Sequence, residues 1–129
     1  MYLRVGRSWP ELMLTPATML HSVFTMDVPE EGASFVPVLA DFLISRLRDA
    51  PEESYSHAVM TDSVLARRKV MEEAFEVCLE LGAPELDRQR LAEETADLVF
   101  HLLCGLTGAG VAWSEVEQVL LARHREDVQ

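Results

Sequence analysis

Residues 63–81 read Ser-Val-Leu-Ala-Arg-Arg-Lys-Val-Met-Glu-Glu-Ala-Phe-Glu-Val-Cys-Leu-Glu-Leu, with no glycine or proline until Gly82 and Pro84. Uninterrupted helix formers followed by that pair predict one long helix over Ser63–Leu81. Its apolar positions Val70, Met71, Ala74, Phe75, Val77, Cys78 and Leu79 wrap most of the circumference. The acids Glu72, Glu73, Glu76 and Glu80 are left with a narrow polar arc. Glu73 and Glu76 (i, i+3) and Glu72 and Glu76 (i, i+4) share a face, a spacing at which like charges repel. Helix stability alone does not favour such an arc.

Working outward, a second long helix starts near Asp87, runs through Leu91, Leu98, Leu102, Leu103 and Leu106, and stops in Gly108-Ala109-Gly110. Here too acids share a face: Glu93, Glu94 and Asp97 form E-E-x-x-D, with Arg90 and His101 one turn away on either side. Ser34 is placed to cap a helix reaching about Asp49, with Pro37 tolerated in its first turn. Glu52 to Asp62 reads as a loop with one helical turn. Ser114 and Glu117 match a capping box, predicting a last helix over about Glu115 to Glu126. The expectation is an all-α, antiparallel helical bundle of four main helices. Both long helices are apolar on nearly all sides, so each needs covering. One small chain has too few helices for that, and a homodimer in which they meet across the two-fold axis is expected.

Residues 1–33 differ. Gly6, Pro10, Pro16, Pro29 and Gly32 punctuate short apolar pieces without a helical period. They are read as an N-terminal arm, with the domain proper over residues 34–129. Pro10, Glu11 and Pro16 break any apolar run before signal-peptide length, and no stretch approaches the ~18 apolar residues of a membrane span. Cys78 and Cys104 have neither disulfide-scaffold nor zinc spacing, so both are expected to be small buried apolar residues in a reduced, cytoplasmic protein.

The chain of 129 residues is one domain's worth, and 49% apolar content supplies a core. A net charge of −11, from 22 acids against 11 Lys and Arg, makes a nucleic acid polymer or an anionic membrane an improbable partner. Six of those acids (Glu72, Glu73, Glu76, Glu93, Glu94 and Asp97) lie in the two helical windows. Charge runs on helices are usually solvated faces. Here Phe75, Cys78, Leu79, Leu98, Phe100, Leu102 and Leu103 flank the acids, and acids embedded in apolar sequence need a partner. Two acidic pairs on adjacent helices can converge on one hard cation, Mg²⁺ or Mn²⁺, which joins carboxylates to substrate phosphates. The cation inverts the local sign, so a phosphate group can dock on an acidic protein. A di-iron bundle needs Glu-x-x-His on two helices. No histidine here has a glutamate three positions before it.

The stretch Lys69-Val-Met-Glu-Glu-Ala-Phe-Glu-Val77, followed by Glu93-Glu-Thr-Ala-Asp-Leu-Val-Phe-His-Leu-Leu103, resembles the E-E-x-x-E and E-x-x-D signature of the all-α nucleotide pyrophosphohydrolases, the MazG-like superfamily. Within them it is most similar to the phosphoribosyl-ATP pyrophosphohydrolases of histidine biosynthesis. Pro51-Glu-Glu-Ser-Tyr-Ser56 resembles that family's P-E-G-S-Y-T segment. The resemblance implies Mg²⁺-dependent cleavage of the α–β phosphate bond of 1-(5-phosphoribosyl)-ATP, with Glu73, Glu76, Glu94 and Asp97 as metal ligands. Glu72 would activate or orient the attacking water. It also implies a dimer or a higher oligomer, with cations on the phosphates: Lys69 foremost, then Arg68, Arg90 and Arg123. Ser54, Tyr55 and His101 are further candidates for substrate contact, although a turn needs such residues anyway and a histidine can simply be structural. Met71 and Glu53 each replace a family glycine, which bears on the substrate and leaves the metal residues intact. The alternative is a related house-cleaning enzyme acting on a (d)NTP with the same metal apparatus. The arm shows none of the cysteine-containing motif of the cyclohydrolase domain often fused to this family.

Overall fold

The computed structural model describes residues 34–49 and 54–128. Among the described residues there are five helices and no strand: α1 Phe35–Asp49, α2 Tyr55–Thr61, α3 Ser63–Leu81, α4 Arg88–Ala109 and α5 Trp113–Asp127. The all-α reading holds at that level. The arm expected at 1–33 lies outside the described residues. The chain divides into two compact units, Met1–Ala58 and Val59–Gln129, each taken by itself.

In the first unit α1 begins directly after Ser34 and buries Ala40 and Leu43, an i, i+3 pair on one face. Arg46 and Arg48 stand in its last turn, where cations oppose the negative end of the helix dipole. The Ser54 hydroxyl accepts the His57 N–H at 3.1 Å and so caps α2. That cap lets α2 run longer than the single turn the sequence suggested.

The second unit is organised by α3 and α4. Asp62 Oδ1 accepts the N–H groups of Val64 and Leu65 at 3.0 and 3.1 Å, and Asp87 Oδ1 accepts that of Arg90 at 3.0 Å. Both helices thus start on aspartate caps, which satisfy donors that the first turn leaves unpaired. At the other end of α4, Gly110 adopts φ 75° while Val111 N–H reaches back to Leu106 C=O at 2.9 Å, the Schellman closure that favours glycine.

Cross-helix partners define an antiparallel hairpin. Arg90 pairs with Glu80 at the closed end, Glu73 meets Glu94 and Asp97 midway, and Gly105 lies against Ala66 at the far end. A Cβ built on Gly108 would fall 2.0 Å from the carbonyl oxygen of Met60, which lies in the end of α2 that belongs to this unit, so that backbone rests on α4 at a position where only glycine fits. Val59, Met60, Ala66, Phe100, Leu103 and Cys104 form the buried core of this unit.

Three expectations are corrected. α5 starts at Trp113, two residues before the predicted start, because Ala112 is extended and Glu115 Oε2 accepts its N–H at 2.7 Å. The reciprocal half of a capping box is missing, since alanine has no side-chain acceptor. Cys78 is exposed while Cys104 is buried, so one cysteine behaves as expected and the other does not. Cys78 belongs to an apolar stripe of α3, with Met71, Phe75 and Leu79, that is exposed among the described residues. Among the described residues no single helix is long and apolar enough to cross a membrane.

Candidate metal centre

Antiparallel packing of α3 on α4 turns two local patterns into one site. Glu94 and Asp97, spaced i, i+3 on α4, face Glu73 of α3, and one carboxylate oxygen from each lies within 4.8 Å of the other two. Oxygens opposite each other across an octahedral Mg²⁺ stand about 4.2 Å apart. The group is therefore within a small side-chain adjustment of ligating distance. Glu73 and Glu94 are 6% and 8% exposed, so solvent screens these charges poorly. At an effective dielectric near 20, each pair at this separation repels by about 3 kcal/mol or more. Burial pushes the Glu73 carboxyl above the usual range, Asp97 and Glu94 push it the same way, and Lys69 draws it back. A largely buried cluster of hard oxygen donors that repel one another suits a divalent cation such as Mg²⁺ or Mn²⁺.

Charge compensation inside the protein comes from Lys69. Its side chain is 9% exposed, and Nζ lies 3.0 Å from Glu72 Oε2 and 3.4 Å from Glu73 Oε1. The contacts follow from sequence spacing, because Glu72 and Glu73 sit three and four residues along α3. Glu72 is the outer acid: its side chain is 41% exposed and also approaches the exposed Arg68, Nε to Oε1 at 3.8 Å. A half-exposed carboxylate next to buried ones is suitably placed to hold a water.

His101 is wholly buried, and its Nδ1–H donates to the Asp97 carbonyl at 2.7 Å. Burial lowers its pKa to about 4, overriding the backbone hydrogen bond that raises it. The ring is therefore neutral near pH 7, and its 4.0 Å approach to Glu73 Oε1 is a contact and not an ion pair. Phe100 meets it edge to face at 5.2 Å between centroids. These contacts make His101 part of the wall that holds Asp97, and its burial removes it from direct reach of a substrate in this structure.

Other sequence candidates lie apart. Glu76, a turn beyond Glu73, is half-buried and does not join the three-carboxylate group. Arg90 Nε donates to Glu80 Oε1, which ties its guanidinium to the hairpin's closed end and raises its pKa. Glu93 is exposed and accepts from Gln89 Nε2 at 3.0 Å, the solvated-face behaviour usual for helical acids. Arg123 is exposed on α5. Ser54 and Tyr55 are buried in the first unit, where Ser54 serves as the α2 cap. Spacing flagged Lys69 as cationic, but its depth was not visible until α4 covered it.

Among the described residues, all secondary structure is helical, and two antiparallel helices bring three carboxylates together from facing turns. The sequence profile described as phosphoribosyl-ATP pyrophosphohydrolase matches residues 36–124. A phosphoribosyl-ATP pyrophosphatase of Streptococcus sanguinis is 40% identical over 83 residues, covering 62% of this chain and 76% of that protein. The HisIE histidine biosynthesis bifunctional protein of Deinococcus radiodurans is 45% identical over 84 residues, 63% of this chain and 37% of the relative. A histidine biosynthesis trifunctional protein of Neurospora crassa is 40% identical over 88 residues, 68% of this chain and 10% of the relative. The chain thus spans well under half the length of these two multifunctional proteins. No solved structure matches it. The chain belongs to the phosphoribosyl-ATP pyrophosphohydrolase family.

Proposed function

We propose that this protein hydrolyses the α–β phosphate bond of 1-(5-phosphoribosyl)-ATP, giving phosphoribosyl-AMP and pyrophosphate in histidine biosynthesis, with Mg²⁺ as cofactor. The observation that carries this reading is the convergence of Glu73, Glu94 and Asp97 on one point between α3 and α4, in a member of that family. These three would hold the ion, with Glu76 as the fourth ligand that the family's motif implies. Bound there, the ion would supply Lewis-acid polarisation of the phosphate oxygens and offset their charge. Glu72 accepts a proton from the attacking water and aims it at phosphorus. Lys69 and Arg68, on the same turn of α3, contact the phosphates, while Arg90 is held by Glu80. Holding nucleophile and phosphate in line is itself a large part of such a rate enhancement.

The exposed stripe of Met71, Phe75, Cys78 and Leu79 supports a homodimer in which α3 packs on its counterpart, completing a helical bundle. A cytoplasmic setting agrees with the free, unpaired thiols. The decisive assay is pyrophosphate release from phosphoribosyl-ATP and from a (d)NTP panel, with Mg²⁺ and with chelator. Release from phosphoribosyl-ATP that needs Mg²⁺ and is lost in Glu73→Gln and Asp97→Asn is expected. Turnover of a dNTP with none of phosphoribosyl-ATP would transfer the assignment to the house-cleaning enzymes. Unchanged release in both variants would dismiss the metal site.

A further inference from the structure

Lys69 is the one buried lysine or arginine among the described residues. Lysine is almost never buried without a partner, because an ammonium loses its hydration there. Its ammonium touches two carboxylates, at 3.0 Å to Glu72 and 3.4 Å to Glu73. One of these, Glu73, belongs to the three-carboxylate group. The other basic side chains considered for the site are differently engaged. Arg68 is 66% exposed and reaches Glu72 only at 3.8 Å. Arg90 is bonded to Glu80 at the hairpin's closed end. His101 donates its Nδ1 proton to the Asp97 backbone carbonyl. A substrate-binding lysine has no need to be buried before substrate arrives, whereas a countercharge does.

We propose that Lys69 is an internal countercharge that keeps the carboxylate centre assembled in the metal-free protein and competes with the divalent cation for it. This deepens the metal-site reading and rests on it. Ammonium and metal both draw on the negative charge of Glu73, so each lowers the other's hold, and by linkage the antagonism is mutual. When the centre takes up its ion, the ammonium loses its Coulombic reason to stay on Glu73 and turns toward Glu72 and the incoming phosphates. The same residue then serves two states in succession: in the empty centre it replaces the missing positive charge, and in the loaded one it contacts substrate. The cost is a weaker metal affinity than the bare carboxylates would give, and the gain is a folded site without metal.

Binding and stability measured on the full chain, separately from turnover, test this. Wild type, Lys69→Met and Lys69→Arg are stripped with chelator, and Mg²⁺ and Mn²⁺ are titrated by calorimetry. Thermal unfolding is recorded in chelator and at saturating metal. Lys69→Met is expected to bind metal at least about tenfold more tightly than wild type, since a like charge beside the ligands has gone. Its Tm should fall in chelator and recover with metal, so that its metal-induced Tm rise exceeds that of wild type. Lys69→Arg, which keeps the charge, should stay near wild type in both. Lys69→Gln carries the same test should the Met variant not fold. Equal or weaker metal binding in the neutral variants, with an unchanged metal-induced Tm rise, would overturn the proposal while leaving the metal site standing. Absence of any metal-induced heat or Tm rise in wild type and in the neutral variants alike would overturn both.

Discussion

Two glycines of α4, three residues apart, should respond in opposite directions to the same substitution. At Gly108 an added Cβ would lie 2.0 Å from the carbonyl oxygen, 2.9 Å from the carbonyl carbon and 3.2 Å from the Cα of Met60, all backbone atoms of a buried residue in α2. No side-chain rotation relieves that overlap, so α2 and α4 must part by about 1 Å or more. Overpacking of this kind costs about 1–3 kcal/mol, occasionally more. Alanine gains about 0.8–1 kcal/mol over glycine in a helix, so Gly108→Ala should be destabilised by up to about 2 kcal/mol net. Gly105, in contrast, would place its Cβ near nothing closer than the Ala66 Cβ at 4.0 Å. That is ordinary contact distance, and Gly105→Ala should keep most of the helix gain, near 1 kcal/mol. Thermal unfolding of both variants by circular dichroism should therefore separate them by roughly 10 °C, at about 4 °C per kcal/mol for a domain of this size. If Gly108→Ala were as stable as Gly105→Ala, the close approach of α2 to α4 would be wrong, and with it the packing that closes the far end of the hairpin.

Two further outcomes follow from burial. His101 has its pKa lowered to about 4 from an ordinary 6.5, so between those values the unfolded chain binds a proton that the folded one refuses. Stability of the chelated protein should fall as pH drops through that window, by up to about 3 kcal/mol from this group; in urea titrations at pH 7 and pH 4.5, His101→Gln should lose most of that difference. Burial also raises the Cys104 thiol to about 12, so a thiol reagent at pH 8 should label only Cys78 until the protein unfolds. With dimerisation through the α3 stripe, the Cys78 rate should slow as protein concentration rises, and Phe75→Asp should abolish that dependence; a rate independent of concentration in wild type would argue against this interface.

Much of the helical architecture could be read directly. Pro84 marks a helix end because proline cannot continue a helix, and Gly110 does so because few other residues accept its left-handed backbone. The facing of Glu94 and Asp97 follows from a 3.6-residue period. Other features needed the neighbours. The α5 start moved because the competition between Ser114 and Ala112 as cap was settled by where Glu115 could reach. Glu76 shares a helix face with Glu73 and yet stays outside the carboxylate group, since a face is an arc wide enough to hold residues that point to different places.

Sequence alone determined the local matters: which segments are helical, where they stop, and that acids stand in a narrow arc among apolar residues. These depend on a residue and its neighbours within a turn or two. Tertiary structure decided everything that depends on what lies opposite. The antiparallel hairpin made Glu73 face Glu94 and Asp97, enclosed Lys69 against Glu72 and Glu73, sealed His101 away as a neutral ring, and left Cys78 in the open. Periodicity gives each side chain a direction around its own helix; burial, and with it the strength of every charge, is set by the helix that packs against it.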